Sequence, residues 1–210
     1  MTPFADASRT PGVRGFVHEP SGDPLGALVL THGAGSNCSA PLLVALAEAF
    51  ARAGYVVLRC DLAFRQARPH GSPFPAIAAQ DRAGLENAVL AVQEKWKCPL
   101  FLGGHSYGGR QATMLIADRP GLVQSLLLLS YPLHPPRRPA ELRTAHFPRL
   151  QTPALFVHGA RDPFGSIEEM RAALALIPGR TALLEIESAG HDLRGKQVPE
   201  RVVAAFPLPT

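Results

Sequence analysis

Residues 100–117 read LFLGGHSYGGRQATMLIA, and their interpretation decides the fold. Four apolar-to-small residues, Leu100–Gly103, have the length and character of a buried strand. Gln111–Ala117 reads as a helix. Between them stands Gly104-His105-Ser106-Tyr107-Gly108, which fits G-x-S-x-G. Chance alone gives roughly 0.08 such matches in a chain of this composition, so the flanking elements must carry the assignment. They do, because the pattern belongs on a sharp strand-to-helix turn that lifts a serine above the sheet. The glycines let strand and helix approach one another, and the helix N-terminus aims partial positive charge at the serine.

Working outward, short apolar runs alternate with amphipathic stretches. Strands are expected at Gly15–His18, Ala27–Thr31, Tyr55–Cys60, Val123–Ser130, Ala154–His158 and Ala182–Glu187. Helical spacing joins Leu42, Leu43, Leu46, Ala49 and Phe50, with Gly54 as the stop. A longer stripe runs from Ile77 through Leu85, Ala88, Val89 and Val92 to Trp96. Ser166 and Glu169 form a capping box before Ile167, Met170, Leu174 and Ile177. Pro199 suits the first turn of a last helix carrying Val202, Val203 and Phe206. This rhythm predicts one α/β domain over residues 1–210, with a mostly parallel sheet of about seven strands flanked by helices.

A serine hydroxyl needs a base, and the base needs an orienting group. For this turn the expected chain order is Ser, acid, His. Asp162 follows the strand ending at His158, and His191 follows the last strand. Both fall on the edge of the sheet that carries Ser106, so Ser106, Asp162 and His191 are the candidate catalytic residues. Asp192 is an alternative acid, but it adjoins His191 and would have to fold back. The backbone N–H groups of Tyr107 and of Ala34, the latter in the small-residue loop His32–Ser36, are candidate oxyanion donors. His32 reads as a brace for that loop, and His105 as pointing away from Ser106. Asp61 either lines the pocket or pairs with an arginine. Tyr131 and His134, after the strand Val123–Ser130, are candidate substrate contacts.

Several classes of function are excluded as expectations. The net charge of +4 comes mostly from scattered Arg, without a basic recognition helix or aromatic RNA signature, so no nucleic-acid partner is expected. The longest apolar runs fall far short of the ~20 residues that span a bilayer. The N-terminal residues have no apolar leader, and the three cysteines are widely spaced. A reducing cytoplasm, no disulfide framework, no metal site and no cofactor are therefore expected. Gly33-x-Gly35 meets Cys38 where a dinucleotide fingerprint needs Gly, and Gly104–Gly109 is followed by Arg110-Gln111 in place of the Lys-Ser/Thr of a phosphate loop.

Together these residues resemble an α/β hydrolase, of the small branch related to dienelactone hydrolase. The chain is similar to the family of the testis-expressed protein thirty and the third subunit of the NSL histone-acetyltransferase complex, with their bacterial relatives. The resemblance rests on Thr31–Gly35, Gly103–Arg110, Ser130-Tyr131-Pro132-Leu133-His134, Phe156–Gly159 and Gly190-His191, spanning about residues 26–195. It implies the α/β-hydrolase fold, a Ser106–Asp162–His191 triad and hydrolase activity, with no particular substrate.

About two dozen residues, rich in Pro and Arg, separate Ser130 from Ala154. A helical lid does not fit there, so an accessible site for a small-molecule ester is expected. The Arg residues of that stretch suggest an anionic acyl group. Thioesters and peptides are alternatives open to the same machinery. A further reading keeps the fold as an interaction module with weak turnover.

Overall fold

The computed structural model describes residues 1–195 and 197–206, so the domain expected to run to residue 210 extends past the described part. The elements in chain order are β1 (Thr2–Asp6), β2 (Val13–His18), β3 (Gly26–Thr31), α1 (Pro41–Arg52), β4 (Tyr55–Cys60), α2 (Ala63–Ala67), α3 (Ala78–Lys95), β5 (Leu100–His105), α4 (Tyr107–Asp118), β6 (Ser125–Leu129), β7 (Ala154–Gly159), α5 (Ile167–Leu174), β8 (Thr181–Ile186) and α6 (Val198–Ala205). Eight strands form one sheet in the order β1-β2-β4-β3-β5-β6-β7-β8. β1 and β2 run antiparallel at one edge, and β4 through β8 with β3 are parallel.

The sheet thus holds one strand more than the apolar runs predict. β1 is the addition. Its sequence TPFAD is mostly exposed, so no inward-facing alternation marks it. Backbone pairing to β2, Thr2 opposite Val17 through Asp6 opposite Val13, holds it in place. α2 was also silent in the sequence, being a single turn between a strand and a Pro-rich loop.

Strands buried on both faces explain the near-continuous apolar runs: every residue of β3 and β6 is buried. Side-chain alternation sorts them into two cores. Val29, Leu58, Leu102, Leu128 and Phe156 face α3, α4 and α5, whereas Leu28, Val57, Phe101, Leu127 and Leu155 face α1 and α6. The predicted signals act as expected at several ends. Gly54 takes φ +95° after α1, and Ser166 and Glu169 exchange both hydrogen bonds of the capping box at α5. Pro199 lies in the first turn of α6.

Chain direction reverses around β3. After β3 the chain moves to β4 on one side, and then to β5 on the other. The carboxyl ends of β3 and β5 therefore diverge at a topological switch point, where ligands bind in such sheets. The β3 end leads to His32–Ser36 and the β5 end to Ser106.

Close approach at that crossing depends on glycine. A Cβ on Gly104 would lie 2.6 Å from both the Gly108 carbonyl carbon and the Gly109 nitrogen. A Cβ on Gly108 would lie 2.5 Å from the His32 carbonyl oxygen. Because the obstructing atoms are backbone, the Gly104→Ala substitution is expected to destabilise the fold by about 3 kcal/mol or more. Urea unfolding of the variant measures this.

Candidate active site

Ser106 is the turn itself. Its φ of 53° and ψ of −117° lie in a region that side-chain-bearing residues avoid. Its N–H donates to the Leu129 carbonyl (2.8 Å), and its carbonyl accepts from the Arg110 N–H (3.0 Å). The strained turn is thus pinned to β6 on one side and α4 on the other.

The three candidate catalytic side chains meet. Ser106 Oγ and His191 Nε2 are 2.8 Å apart, and His191 Nδ1 and Asp162 Oδ2 are 2.8 Å apart. A carboxylate only accepts, so Nδ1 carries the hydrogen and Nε2 is left to accept from the serine hydroxyl. Asp162 is fully buried at its side chain, whereas His191 is about a quarter exposed. The second carboxylate oxygen accepts from the Phe164 N–H at 2.9 Å. Phe164 also stacks on His191, with ring centroids 4.3 Å apart. Asp192 is not the acid: its carboxylate turns outward to Arg194.

Both candidate oxyanion donors are free. Neither the Tyr107 nor the Ala34 N–H is given to another group among the described residues. Each is held still by its own anchor. The Tyr107 hydroxyl donates to the buried Asp81 at 2.8 Å, which fixes the residue carrying the first N–H. Burial raises the pKa of the Asp81 carboxyl, partly offset by bonds from the Phe64 N–H and from Tyr107. The loop carrying the second N–H is held by Arg65. Its Nε donates to the Ser36 carbonyl (2.7 Å), one terminal nitrogen to the Ala34 and Gly71 carbonyls (3.0 Å each), and the other to the Arg68 carbonyl (3.2 Å). This guanidinium, 5% exposed, is neutralised by carbonyl dipoles rather than by a carboxylate. In the sequence it looks like one of several loop arginines, and only the contacts reveal it as a clamp.

Arg65→Met keeps the stem and removes the donors. Four carbonyls lose a partner, so a loss of about 2–4 kcal/mol in stability is expected. If Ala34 serves as a donor, loosening its loop lowers turnover by about 10²-fold as well. Urea unfolding and ester kinetics on one preparation check both.

His32 braces the loop from inside, as expected. Its Nδ1–H donates to the Gly33 carbonyl (2.8 Å) and its Nε2 accepts from the Leu62 N–H (3.1 Å). Burial lowers its pKa, consistent with a neutral ring whose two nitrogens are both occupied. His105 does point away from the serine hydroxyl, yet it has a partner in the site. Its Nε2–H donates to the His191 carbonyl at 2.8 Å and so steadies the loop that delivers the imidazole. Asp61 accepts from the Cys38 N–H (2.8 Å) and lies 3.9 Å from Arg14, which favours the pairing alternative.

Two expected substrate contacts sit elsewhere. Tyr131 has no exposed surface; it packs on Phe147 and Phe156, and its hydroxyl donates to the Arg143 carbonyl at 2.7 Å. His134 is 5% exposed, with Nδ1 donating to the Pro135 carbonyl and Nε2 3.4 Å from Glu169. Residues after a strand's carboxyl end need not face the ligand: here the loop turns inward and both side chains build its interior. The wall that the sequence did not reveal is an apolar cavity of about 490 Å³ beside Gly33 and His105, lined by Leu42, Leu43, Leu193 and Val198.

Residues 130–153 between β6 and β7 hold one short 3₁₀ turn, Phe147–Arg149, and no helical lid. That turn carries a titrating group. His146 Nε2–H donates to Thr113 Oγ1 (2.8 Å), because the threonine hydrogen is already given to the Arg110 carbonyl. Burial, then Arg110 and Arg149, push His146 down to about 4. Its ordinary value is 6.5, so between 6.5 and 4 the unfolded chain binds a proton that the folded chain refuses. Stability is therefore full above 6.5 and declines as pH falls toward 4. The buried His105 and His32 act in the same direction. Melting temperature should fall across that window, and less steeply in His146→Gln.

Among the described residues no group of three or more His, Cys, Asp or Glu is placed to hold a metal ion, and no helix is long and apolar enough to cross a membrane. Comparison with known proteins agrees with the fold. A solved α/β serine hydrolase homologue from Coxiella burnetii superposes with a TM-score of 0.79 at 18% identity, over 99% of each chain. A dienelactone hydrolase from Anabaena variabilis gives 0.75 at 20% identity, over 97% of this chain and 95% of that one. An α/β serine hydrolase without a lid, from Xanthomonas campestris, gives 0.73 at 14% identity, over 97% and 90%. The family model described as an alpha/beta hydrolase domain matches residues 25–203, and with the sheet order, the strained serine turn and the missing lid in place, the chain belongs to that family.

Proposed function

We propose that this protein is a serine hydrolase acting on small, accessible carboxylic esters. The observation that carries the proposal is the unbroken chain Ser106 Oγ, His191 Nε2, His191 Nδ1, Asp162 Oδ2, with both links at 2.8 Å. Ser106 attacks the acyl carbon while His191 takes its proton. The Tyr107 and Ala34 N–H groups receive the oxyanion, each held by the anchors described above. His191 then protonates the leaving alcohol, and Asp162 stabilises the imidazolium. Water activated by His191 cleaves the acyl-enzyme and restores the serine.

The apolar cavity beside His105 and Leu193 borders the loop that carries His191. The leaving group must lie next to the group that protonates it, so this cavity suits an apolar alcohol. Thioesters are open to the same steps. Within the family, the stretches around Arg110 and Ser130–His134 favour the branch of the testis-expressed protein thirty and the NSL third subunit. Three cysteines without disulfides fit a cytoplasmic setting.

The interaction-module reading predicts an occluded serine or an acid turned from the histidine. Neither geometry occurs here, since Ser106 is part-exposed and Asp162 faces His191. A panel of short-chain esters with apolar alcohols tests the proposal. Saturable turnover above the Ser106→Ala background supports it; equal rates for both proteins on every ester would leave the module reading.

A further inference from the structure

We infer that Arg110 forms an anion subsite beside the nucleophile and takes a carboxylate carried on the acyl part of the ester. The inference rests on Ser106 being the nucleophile, as proposed above.

Arg110 stands one turn along α4 from Ser106, and its N–H donates to the Ser106 carbonyl at 3.0 Å. Side chains on a helix lean toward its N-terminus. A long side chain at this position therefore leans back over the turn that holds Ser106 and Tyr107. Arg110 shares its face of α4 with Tyr107 and Thr113, three residues to either side, and Thr113 meets His146 of the loop after β6, so the side chain lies on the face turned to that loop.

Among the described residues the guanidinium of this part-exposed side chain has no protein partner. Its Nε is buried without a hydrogen bond, and no ion pair or side-chain bond among the described residues includes it. Other enclosed arginines are satisfied. Arg65 holds four carbonyls, Arg59 reaches His18 and the Cys38 carbonyl, and Arg82 reaches Gln111. A buried donor left unmade is costly. Arg143, from the loop, adds to the imbalance. It reaches only the Pro132 carbonyl at 3.3 Å through its side chain, and burial together with repulsion from Arg110 lowers its pKa.

Charge bookkeeping indicates the ligand. Glu141 is already paired with Arg138, so Arg110 and Arg143 have no carboxylate partner among the described residues and the surplus there is positive. A carboxylate supplies one negative charge and two oxygens matched to the planar guanidinium. The partial positive charge of the α4 N-terminus acts in the same direction. Position indicates which half of the ester bears it. The cavity proposed for the leaving alcohol opens on the α1 and α6 face of the sheet, whereas α4 with Arg110 stands on the opposite face, which leaves that face for the acyl part.

The test compares monoethyl esters of succinic, glutaric and adipic acids with the same esters bearing a terminal carboxamide. For wild type, kcat/KM should favour the carboxylate by about 10- to 100-fold at one or more chain lengths. Arg110→Gln should bring that ratio to about one, and Arg110→Lys should restore part of it. The ratio is read within each protein, so a general loss of activity cancels, and melting curves confirm folding. Labelling of Ser106 by a fluorophosphonate is measured in the same preparations. A labelled wild type with no preference at any length, or a ratio unchanged in Arg110→Gln, overturns the subsite and leaves the hydrolase standing. No label and no turnover on any ester overturns both.

Discussion

Ser106→Ala is expected to lower kcat on any accepted ester by about 10⁵–10⁶-fold, with the melting temperature nearly unchanged. In the proposed mechanism the hydroxyl is the atom that attacks, and Ala offers no nucleophile in its place. Its removal costs little in folding, because His191 is part-exposed and water can take over the lost hydrogen bond. Ser106→Gly separates the two roles of the position. It removes the hydroxyl too, so activity falls as far. It also relieves a φ of 53°, where a side chain costs of order 1–3 kcal/mol. After the entropy of glycine is subtracted, a net gain of about 1 kcal/mol in stability is expected. A pair of inactive variants, one of which melts higher than the wild type, would mark the turn as strain kept for chemistry. Thermal melts and ester kinetics on the two variants provide the comparison.

Asp162→Asn should cost about 10⁴-fold in kcat while the backbone stays in place. Asparagine fills the same buried space and can still accept from the Phe164 N–H. With that oxygen engaged, its amide nitrogen faces His191 Nδ1. A donor there forces Nδ1 to accept and moves the imidazole hydrogen to Nε2, facing Ser106. The base is then the wrong tautomer and cannot take the serine proton. In the proposed mechanism buried Asp162 also stabilises the imidazolium, which a neutral amide would not do. Asp192→Asn, by contrast, changes an exposed carboxylate paired with Arg194, and its kcat should stay within about twofold of wild type.

The sequence was legible where chemistry and periodicity coincide. A motif that demands a strand before it and a helix after it found both, and β5, Ser106 and α4 follow in that order. β3, β4, β6 and β7 stand out because burial on both faces leaves unbroken apolar runs. Asp162 and His191 were readable because each follows a strand end in the order this fold uses. Contacts made by backbone, or by side chains far apart in the chain, were not readable. β1 is held by ladder bonds that any residues supply. Arg65 clamps carbonyls from Ala34 to Gly71, and nothing in its own neighbourhood marks it from Arg68. Phe164 covers His191 across 27 residues of chain. Tyr131 and His134 were misplaced for a related reason. Both follow β6, but Ser130 takes φ 47°, the chain turns there, and the side chains enter the interior.

The central claim is that Ser106 is an activated nucleophile, and fluorophosphonate labelling read by intact mass tests it most directly. The account predicts one phosphonyl adduct on the wild type, none on Ser106→Ala, and strongly slowed labelling of Asp162→Asn. An unlabelled, folded wild type, or an adduct that persists in Ser106→Ala, would contradict it.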